Sequence, residues 1–370
     1  MPYSQLVFDM QKTNPEVYVS RLVLRMSKEE VDMTRFRQAI EQAFRNHPIF
    51  QMHVDAKGMQ RLEPLPDVLH GQYHAIDIEE YDAYADVHIQ TNRILGDGWS
   101  DVVLFEDVVR AYEGLPLQPD NYLGYLQHIE EMKLTPYYSE NRRWLESRYG
   151  DISCPVHPKT DAPISDTDEP IEGTYTENYS NIQESYAAFA SAHLLSLTAF
   201  FSLACALAMM DYNDTDAAAL TWAYDGRERP DEQRIFGSLH RDIPFQINHQ
   251  SSIINHKSDL IRQARNQFRN GIAHSSYPFT LTKPHTEIWN YALNVLVQPF
   301  LQEIASLPFT IEDVTPQNES RMAYSLLDVE IIETEQLMIN YRYSATHYKP
   351  ESIQRFAALV RKYAEWLLEE

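Results

Sequence analysis

Apolar residues recur along the first half of the chain at spacings that distinguish helices from strands. Residues 32–46 carry apolar side chains at three- and four-residue intervals, which predicts an amphipathic helix, and the His-Pro dipeptide that follows predicts its end. Alternation of apolar and polar residues predicts strands at 18–26 and 85–91, and helical spacing returns at 101–112. The first half therefore mixes both kinds of element.

The second half contains a long apolar segment, 187–210, which reads AAFASAHLLSLTAFFSLACALAMM. Its length and low charge are those of a membrane-spanning helix. It also contains His193 and several hydroxyl side chains, and acidic rather than basic residues flank it. We interpret it as a buried helix, with a membrane span as the alternative. Further strands and helices are predicted after it, at 217–224, 258–270, 293–297, 325–332, 336–343 and 350–368.

One segment between the halves has the composition of a linker. Residues 151–174 concentrate proline, aspartate, serine and threonine and lack apolar periodicity. The length of 370 residues allows two or three domains, and we work with two. We therefore predict an N-terminal lobe over 1–155, a linker over 156–174 and a C-terminal lobe over 175–370.

The charge balance excludes several classes of partner. The chain has 31 basic and 54 acidic residues and a net charge of −23, which repels phosphate backbones and anionic lipid surfaces. We therefore expect neither a nucleic-acid partner nor a membrane. The first residues show no secretory signal, and the two cysteines, Cys154 and Cys205, lie far apart in sequence, so we expect a cytoplasmic protein with reduced thiols.

Motifs for common cofactors are absent from the sequence. There is no GxxxxGK[ST] or GxGxxG phosphate loop and no HExxH pair. We therefore expect no directly bound nucleotide cofactor and no metal.

The most distinctive segment, NRILGDGWS at 92–100, joins a predicted strand to a predicted helix, where loop residues can present polar groups. Other segments accompany it in a fixed order: RNHPIF at 45–50, a DGR turn at 225–227, FGSLHRDIPFQ at 236–246, HSSYPF at 274–279 and NVLVQPF at 294–300. Together they resemble the condensation domains of nonribosomal peptide synthetases. In that family, HHxxxDG followed by a bulky residue and serine stands where this chain has NRILGDGWS.

The resemblance implies a mixed α/β fold. Two lobes of the chloramphenicol acetyltransferase type would form a V-shaped pseudo-dimer with a tunnel between them. It also implies an acyltransferase that forms an amide or ester. The acyl donor would be carried on the phosphopantetheine arm of an acyl or peptidyl carrier protein, and the acceptor would be a small amine or alcohol.

The resemblance also places the site residues. The positions of the HHxxxDG motif, expected to be catalytic, are Asn92, Arg93, Asp97 and Gly98. Residues expected to line the tunnel or face the substrate are Trp99, Ser100, His240 and Arg241. We further expect Gly98 to supply backbone freedom at a tight turn, Trp99 to pack internally and Ser100 to cap a helix that begins near Asp101.

Both histidines of the family motif are replaced here, by Asn92 and Arg93. In the family the second histidine is the proposed base or positioning group for the attacking amine, and imidazole suits that task because it titrates near neutrality. Arginine cannot be deprotonated in a protein, so Arg93 cannot act as that base. Two hypotheses follow. One is a condensation-type acyltransferase with an atypical site; the other is an inactive module that recruits carrier proteins or tailoring enzymes, as in members of the family with an HRxxxD motif.

Arg93 has a structural interpretation beside the functional one. The family's aspartate pairs with an arginine, and we place that arginine at the position of Gln51. Arg93 would then replace it by pairing with Asp97, four residues further on. Alternatively, Arg93 binds a carboxylate, a phosphate or a polarised carbonyl in the tunnel, or lies on the surface.

A separate basic cluster on a predicted helix, Arg142, Arg143 and Arg148, is a candidate for docking an acidic carrier protein, with an ordinary solvated helix face as the alternative.

Overall fold

The computed structural model describes residues 8, 19–150, 152–165, 171–248, 257–281, 289, 291–297, 309–315 and 326–369. Contacts divide the chain into two compact units. The first unit comprises Met1–Leu134, Asp225–His240 and Pro299–Arg321. The second comprises Thr135–Tyr224, Arg241–Gln298 and Met322–Glu370. Both combine sheets with helices, and the predicted mixed α/β fold class is confirmed.

The division differs from the predicted lobe boundaries because residues distant in sequence complete each unit. The predicted linker is the clearest difference. The Pro155 carbonyl accepts a hydrogen bond from the Ala219 amide at 2.9 Å, and the Val156 carbonyl accepts one from the Leu293 amide at 2.7 Å. Val156 is also buried, so residues 152–165 form part of the second unit's packing. Residues 166–170 of the predicted linker lie outside the described residues.

The first unit contains a four-stranded antiparallel sheet in the order β10-β1-β5-β4. These strands are β1 (Val19–Ser27), β4 (His74–Glu80), β5 (Tyr84–Asn92) and β10 (Ile311–Asp313), and a separate hairpin is formed by β2 (Met52–Val54) and β3 (Gln60–Leu62). Its helices are α1 (Met33–Asn46), α2 (Gly98–Glu113) and α3 (Tyr122–Lys133).

Helix α1 illustrates how local sequence defines an element. Asp32 caps its N-terminus by accepting hydrogen bonds from the backbone amides of Thr34 and Arg35. Its apolar stripe is buried, and it ends at Asn46, two residues before Pro48. The predicted helix is therefore confirmed to within one residue.

The second unit contains a six-stranded mixed sheet in the order β6-β12-β11-β9-β7-β8, in which β9 runs parallel to both of its neighbours. Its strands are β6 (Glu172–Asn178), β7 (Ala217–Tyr224), β8 (Arg241–Asn248), β9 (Asn294–Val297), β11 (Leu327–Glu333) and β12 (Leu337–Ser344). Its helices are α4 (Pro136–Tyr149), α5 (Gln183–His193), α6 (Leu197–Asn213), α7 (Lys257–His274) and α8 (Pro350–Leu368).

The long apolar segment forms two helices. It breaks at Leu194, whose φ of 52° is left-handed, and α6 then begins after Ser196, whose side chain accepts a hydrogen bond from the Ala199 amide. Every residue from Ala199 to Met210 is buried, so the interpretation of a buried helix is confirmed for α6. It was wrong for 187–193, because these residues belong to α5, which has no buried side chain. In the described part of the chain no single helix has the length and apolar character to cross a membrane; one pair, Ser180–His193 with Leu197–Asn213, meets that test jointly but is bent by 102°.

Prediction on core stability. Helix α8 packs against α6 through an apolar stripe in which Phe356 is fully buried. We expect Phe356→Ala to lower the free energy of unfolding by about 3–5 kcal/mol, because the lost contacts leave a cavity. Gln354→Ala, at an exposed position of the same helix, should change it by less than about 0.5 kcal/mol. Urea denaturation of both variants checks this, and equal effects would contradict the packing described.

Candidate active site

The NRILGDGWS segment connects strand β5 to helix α2 within the first unit. Asp97 is the N-cap of α2: its Oδ1 accepts hydrogen bonds from the Ser100 amide at 3.0 Å and from the Ser100 hydroxyl at 2.9 Å. The Asp97 amide in turn donates to the Ser100 hydroxyl oxygen at 3.2 Å, which completes a capping box. The prediction that Ser100 caps a helix starting near Asp101 was wrong, because the aspartate three residues earlier makes the cap.

The carboxylate of Asp97 is buried and forms a bidentate ion pair with Arg227. Arg227 Nη1 donates to Asp97 Oδ2 and Nη2 to Asp97 Oδ1, each at 3.0 Å. The guanidinium is fully buried and also donates to the backbone carbonyls of Asp225, Ile235 and Gly237. Such planar pairing is the strongest form of the arginine–carboxylate interaction.

Backbone amides complete the surroundings of this carboxylate. The amides of Leu239 and His240 donate to Asp97 Oδ2 at 2.8 and 2.9 Å. Burial by itself raises the pKa of Asp97, but the adjacent Arg227 guanidinium outweighs that effect. With smaller contributions from His240 and the Ser100 amide, the pKa falls to about 2. Asp97 is therefore ionised at neutral pH and holds the site together.

The predicted ion pair between Arg93 and Asp97 was wrong. Arg227, 130 positions away in sequence, occupies both carboxylate oxygens of Asp97. At Gln51, where we placed the family's arginine, the backbone carbonyl accepts a hydrogen bond from the Glu63 amide at 2.9 Å. A signal for Arg227 was available in the DGR turn, where Gly226 adopts a left-handed φ of 70°.

Asn92 shapes the turn that follows β5. Its side chain is buried, and its Oδ1 accepts a hydrogen bond from the Ile94 amide at 2.9 Å, an Asx-type turn. Its own backbone amide donates to the Tyr73 carbonyl at 2.9 Å. At this first position of the motif, the asparagine amide therefore supports the backbone.

Arg93 extends from the same turn toward α2. Its Nη1 lies 3.9 Å from Asp101 Oδ2, and the two side chains are 37% and 43% exposed. Desolvation of the carboxyl raises the pKa of Asp101, the nearby Arg93 guanidinium lowers it, and the Asp97 carboxylate raises it further, with a net rise. The second position of the motif thus presents a guanidinium and a carboxylate side by side.

The remaining predicted residues divide between the two units. Gly98 is the first residue of α2 with an ordinary φ, so the expected tight turn is wrong; a Cβ there would meet nothing within 4 Å. Trp99 is half-buried and donates from Nε1 to the Gln233 carbonyl at 3.2 Å. His240 belongs to the first unit beside Asp97, whereas Arg241 begins β8 in the second unit and donates to the Ser275 hydroxyl at 2.9 Å.

A second group of charged, largely buried side chains, which the sequence analysis did not predict, contacts helix α2 and the 225–240 segment. We call it the His47 cluster: His47, Asp107, Asp120 and Arg234. The fully buried His47 lies with Nδ1 2.7 Å from Asp120 Oδ2 and with Nε2 3.2 Å from Asp107 Oδ2. Arg234 pairs with Asp107 and with the more exposed Glu106. Burial lowers the pKa of His47, but its two carboxylate partners outweigh that effect and raise it.

The His47 cluster holds the 225–240 segment in place. Arg234 is in this segment, and the Phe236 amide donates to Asp120 Oδ2 at 3.1 Å. The Phe236 ring lies 4.6 Å from the Phe50 ring. The His of the RNHPIF segment is thus connected through buried contacts to the chain that carries Arg227.

Prediction on the Asp97 ion pair. We expect Asp97→Asn to lower the free energy of unfolding at pH 7 by about 3–5 kcal/mol, because it leaves Arg227 buried without its counter-charge. A carboxyl group whose pKa is lower in the folded state stabilises the protein at pH values above its unfolded-state pKa. For Asp97 this stabilisation is lost as the pH falls from about 4 to about 2. The gap between variant and wild type should therefore narrow over that range in denaturant titrations. Glu80→Gln, which breaks an exposed pair with Lys28, should cost less than about 1 kcal/mol, and an Asp97 effect of that size would refute the prediction.

Prediction on the His47 cluster. A histidine with a raised folded pKa stabilises the protein fully below its unfolded pKa, and this stabilisation is lost as the pH rises through the folded value. Wild-type stability should therefore decline from pH 6.5 upward. We expect His47→Gln, which has no charge to lose, to be less stable at pH 6.5 and to show less of this decline. His53→Gln at an exposed position should follow the wild-type curve, and a parallel curve for His47→Gln would contradict the charge assignment.

Solved structures of similar fold and one family model match this chain. No curated protein sequence matches the chain. The epimerization domain from the third module of tyrocidine synthetase B is similar in fold, with TM-score 0.75 and 15% identity over 100% of this chain and 96% of that one. A mutant starter condensation domain of rhizomide synthetase RzmA in complex with C8-CoA and Leu-SNAC gives TM-score 0.74 and 14% identity over 99% and 92%. A chain of the complex of the X-domain and OxyB from teicoplanin biosynthesis gives TM-score 0.78 and 12% identity over 100% and 92%.

These structures show that the fold is that of condensation-type domains. The model of the condensation domain family matches residues 80–369, which is most of the chain and includes both the NRILGDGWS segment and Arg227. The chain belongs to the condensation-domain family.

Proposed function

We propose that this protein is a condensation-type acyltransferase that joins an acyl or aminoacyl group, presented as a thioester on a carrier protein, to an amine or alcohol. The observation that carries the proposal is the intact scaffold of the motif. Asp97 and Arg227 form a buried two-pronged pair that holds the turn and the start of α2, and Gly98 leaves open space beside it. The pair thereby holds in place the loop from which a condensation-type domain would present its reacting groups.

Asp101 is the side chain best suited to accept a proton at this site. It lies one helical turn after Asp97, is 43% exposed and stands beside Arg93 at the motif's second position. In the proposed step its carboxylate takes the proton from the acceptor, the acceptor nitrogen or oxygen bonds to the thioester carbonyl carbon, and the carbon–sulfur bond breaks. The proton returns to the departing thiolate. Arg93 would orient the carboxylate.

A recruitment module is the second candidate. It is supported by the arginine at the second motif position and by the similarity to a chain from the complex of the X-domain and OxyB. Asn92 is engaged in the turn, so neither motif position offers a base of its own. A catalytic assay separates the two candidates.

Prediction on catalysis. Wild-type protein incubated with an acyl-loaded carrier domain and a panel of amines and alcohols should release an amide or ester detectable by mass spectrometry. Asp101→Asn should slow product formation by about 10²–10⁴-fold, because it removes a positioned base. Glu113→Gln, an exposed carboxylate at the other end of α2, should leave the rate unchanged.

Wild-type activity should also fall as the solution is acidified through the raised pKa of Asp101, because the protonated carboxyl cannot accept a proton. Absence of product from the wild type above the background without protein would overturn the enzymatic proposal. Equal rates for the wild type and Asp101→Asn would leave the acyltransferase in place and remove Asp101 from its mechanism.

A further inference from the structure

Two helices of the second unit carry a net positive charge, whereas the chain as a whole is strongly negative. Helices α4 and α7 together hold seven lysine or arginine residues and three acidic residues, although the whole protein has 31 basic and 54 acidic residues. Four of the arginines are exposed: Arg143, Arg148, Arg262 and Arg269. Arg148 and Arg262 line the same cavity, and we call the surface of α4 and α7 around them the basic face. A basic patch on an acidic protein attracts a partner of negative charge at short range, since other charges are screened beyond about 8 Å at physiological salt.

Ring stacking and hydrogen bonds hold the two helices together, so we expect the basic face to be rigid. The Trp144 ring of α4 stacks on His274 at the end of α7 with centroids 4.2 Å apart. His274 Nδ1 lies 2.8 Å from Asn141 Oδ1, and the Asn141 amide also contacts the Ser276 hydroxyl. The Tyr149 hydroxyl donates to Gln267 Oε1 at 3.4 Å. Partner binding to a preformed face avoids the entropic cost of ordering it.

A polar cavity of about 360 Å³ opens within this face. Guanidinium and amide groups, which are donors suited to a carboxylate, dominate its lining: Arg148, Arg262, Gln263, Asn266, Gln267 and Asn270, together with Asp259. Arg148 lies over the Trp144 and Tyr149 rings, at 5.9 and 5.8 Å, which restricts its side chain. Asp259 pairs with Arg262 at 2.6 Å, but both groups remain partly exposed, so an incoming carboxylate can compete for this arginine.

We propose that the basic face of α4 and α7 is the docking surface for an acidic carrier protein, with a carboxylate side chain of the carrier in the cavity between Arg148 and Arg262. This rests on the proposed function, which requires a carrier-borne substrate. The cluster at 142–148 is thus one half of a docking surface, and α7 supplies the other half. Arg142 is used within its own helix, where its Nε donates to Glu146 at 2.8 Å.

The test compares charge reversal on this face with the same reversal elsewhere. Arg148→Glu/Arg262→Glu removes the cavity arginines, and Arg37→Glu/Lys57→Glu changes the net charge equally at exposed positions of the first unit. The probe is a fluorescently labelled carrier domain of net negative charge bearing its phosphopantetheine arm. Binding is measured by anisotropy at several salt concentrations.

We expect the Arg148/Arg262 variant to bind the carrier domain roughly 10- to 100-fold more weakly and with less salt dependence, and the Arg37/Lys57 variant to bind as the wild type does. Equal binding by all three proteins, or no binding of the carrier domain by the wild type, would overturn the docking surface. Arg148→Gln/Arg262→Gln should give an intermediate loss, which separates charge loss from repulsion.

A second readout separates this proposal from the proposed function. Turnover of a small acyl thioester of N-acetylcysteamine needs no carrier docking, so the Arg148/Arg262 variant should retain it while losing turnover of the carrier-bound donor. Turnover of both donors by this variant at wild-type rates would overturn the docking surface and leave the acyltransferase standing. Salt-sensitive carrier binding without turnover of either donor by the wild type would overturn the acyltransferase and leave the docking surface standing.

Discussion

The buried pair between Asp97 and Arg227 is the interaction on which the site depends. Removing two charges from water is costly, and the cost is offset only when the pair has good geometry and further hydrogen bonds surround it. Here the Asp97 carboxylate caps α2 and receives Arg227 together with the amides of Leu239 and His240. The pair therefore fixes the motif turn and the 225–240 segment to one another, since displacement of either would leave a buried charge unpaired.

The His47 cluster applies the same constraint a short distance away. It joins the end of α1, the middle of α2 and the same 225–240 segment through a buried histidine and its two carboxylate partners. In both clusters, removal of one charged partner would leave a buried charge uncompensated. The 225–240 segment is consequently held at Arg227, Arg234 and Phe236, which explains how a crossover segment with little regular structure positions backbone donors so closely around Asp97.

The exposed side of the NRILGDGWS segment and the residue after it carry a guanidinium and a carboxylate. In this segment Asp97 caps α2 and pairs with Arg227, Asn92 is used in the turn, and Arg93 pairs with Asp101. In the function proposed above, the carboxylate of this pair is the proton acceptor. Charge is also unevenly distributed over the protein, because a net charge of −23 coexists with a basic face on α4 and α7.

Patterns confined to neighbouring residues were readable from the sequence alone. Amphipathic spacing and the following proline predicted α1, apolar character predicted that α6 is buried, and the ordered motifs indicated the family. Two expectations depended on distant residues and failed: Arg93 does not reach Asp97, and the proline-rich segment packs into the second unit. Spacing along the sequence cannot show whether Arg93 or Arg227 pairs with Asp97. The pairing depends on where the 225–240 segment packs against α2. The sequence thus determined which elements form and which motif they present, and tertiary packing decided which charges meet.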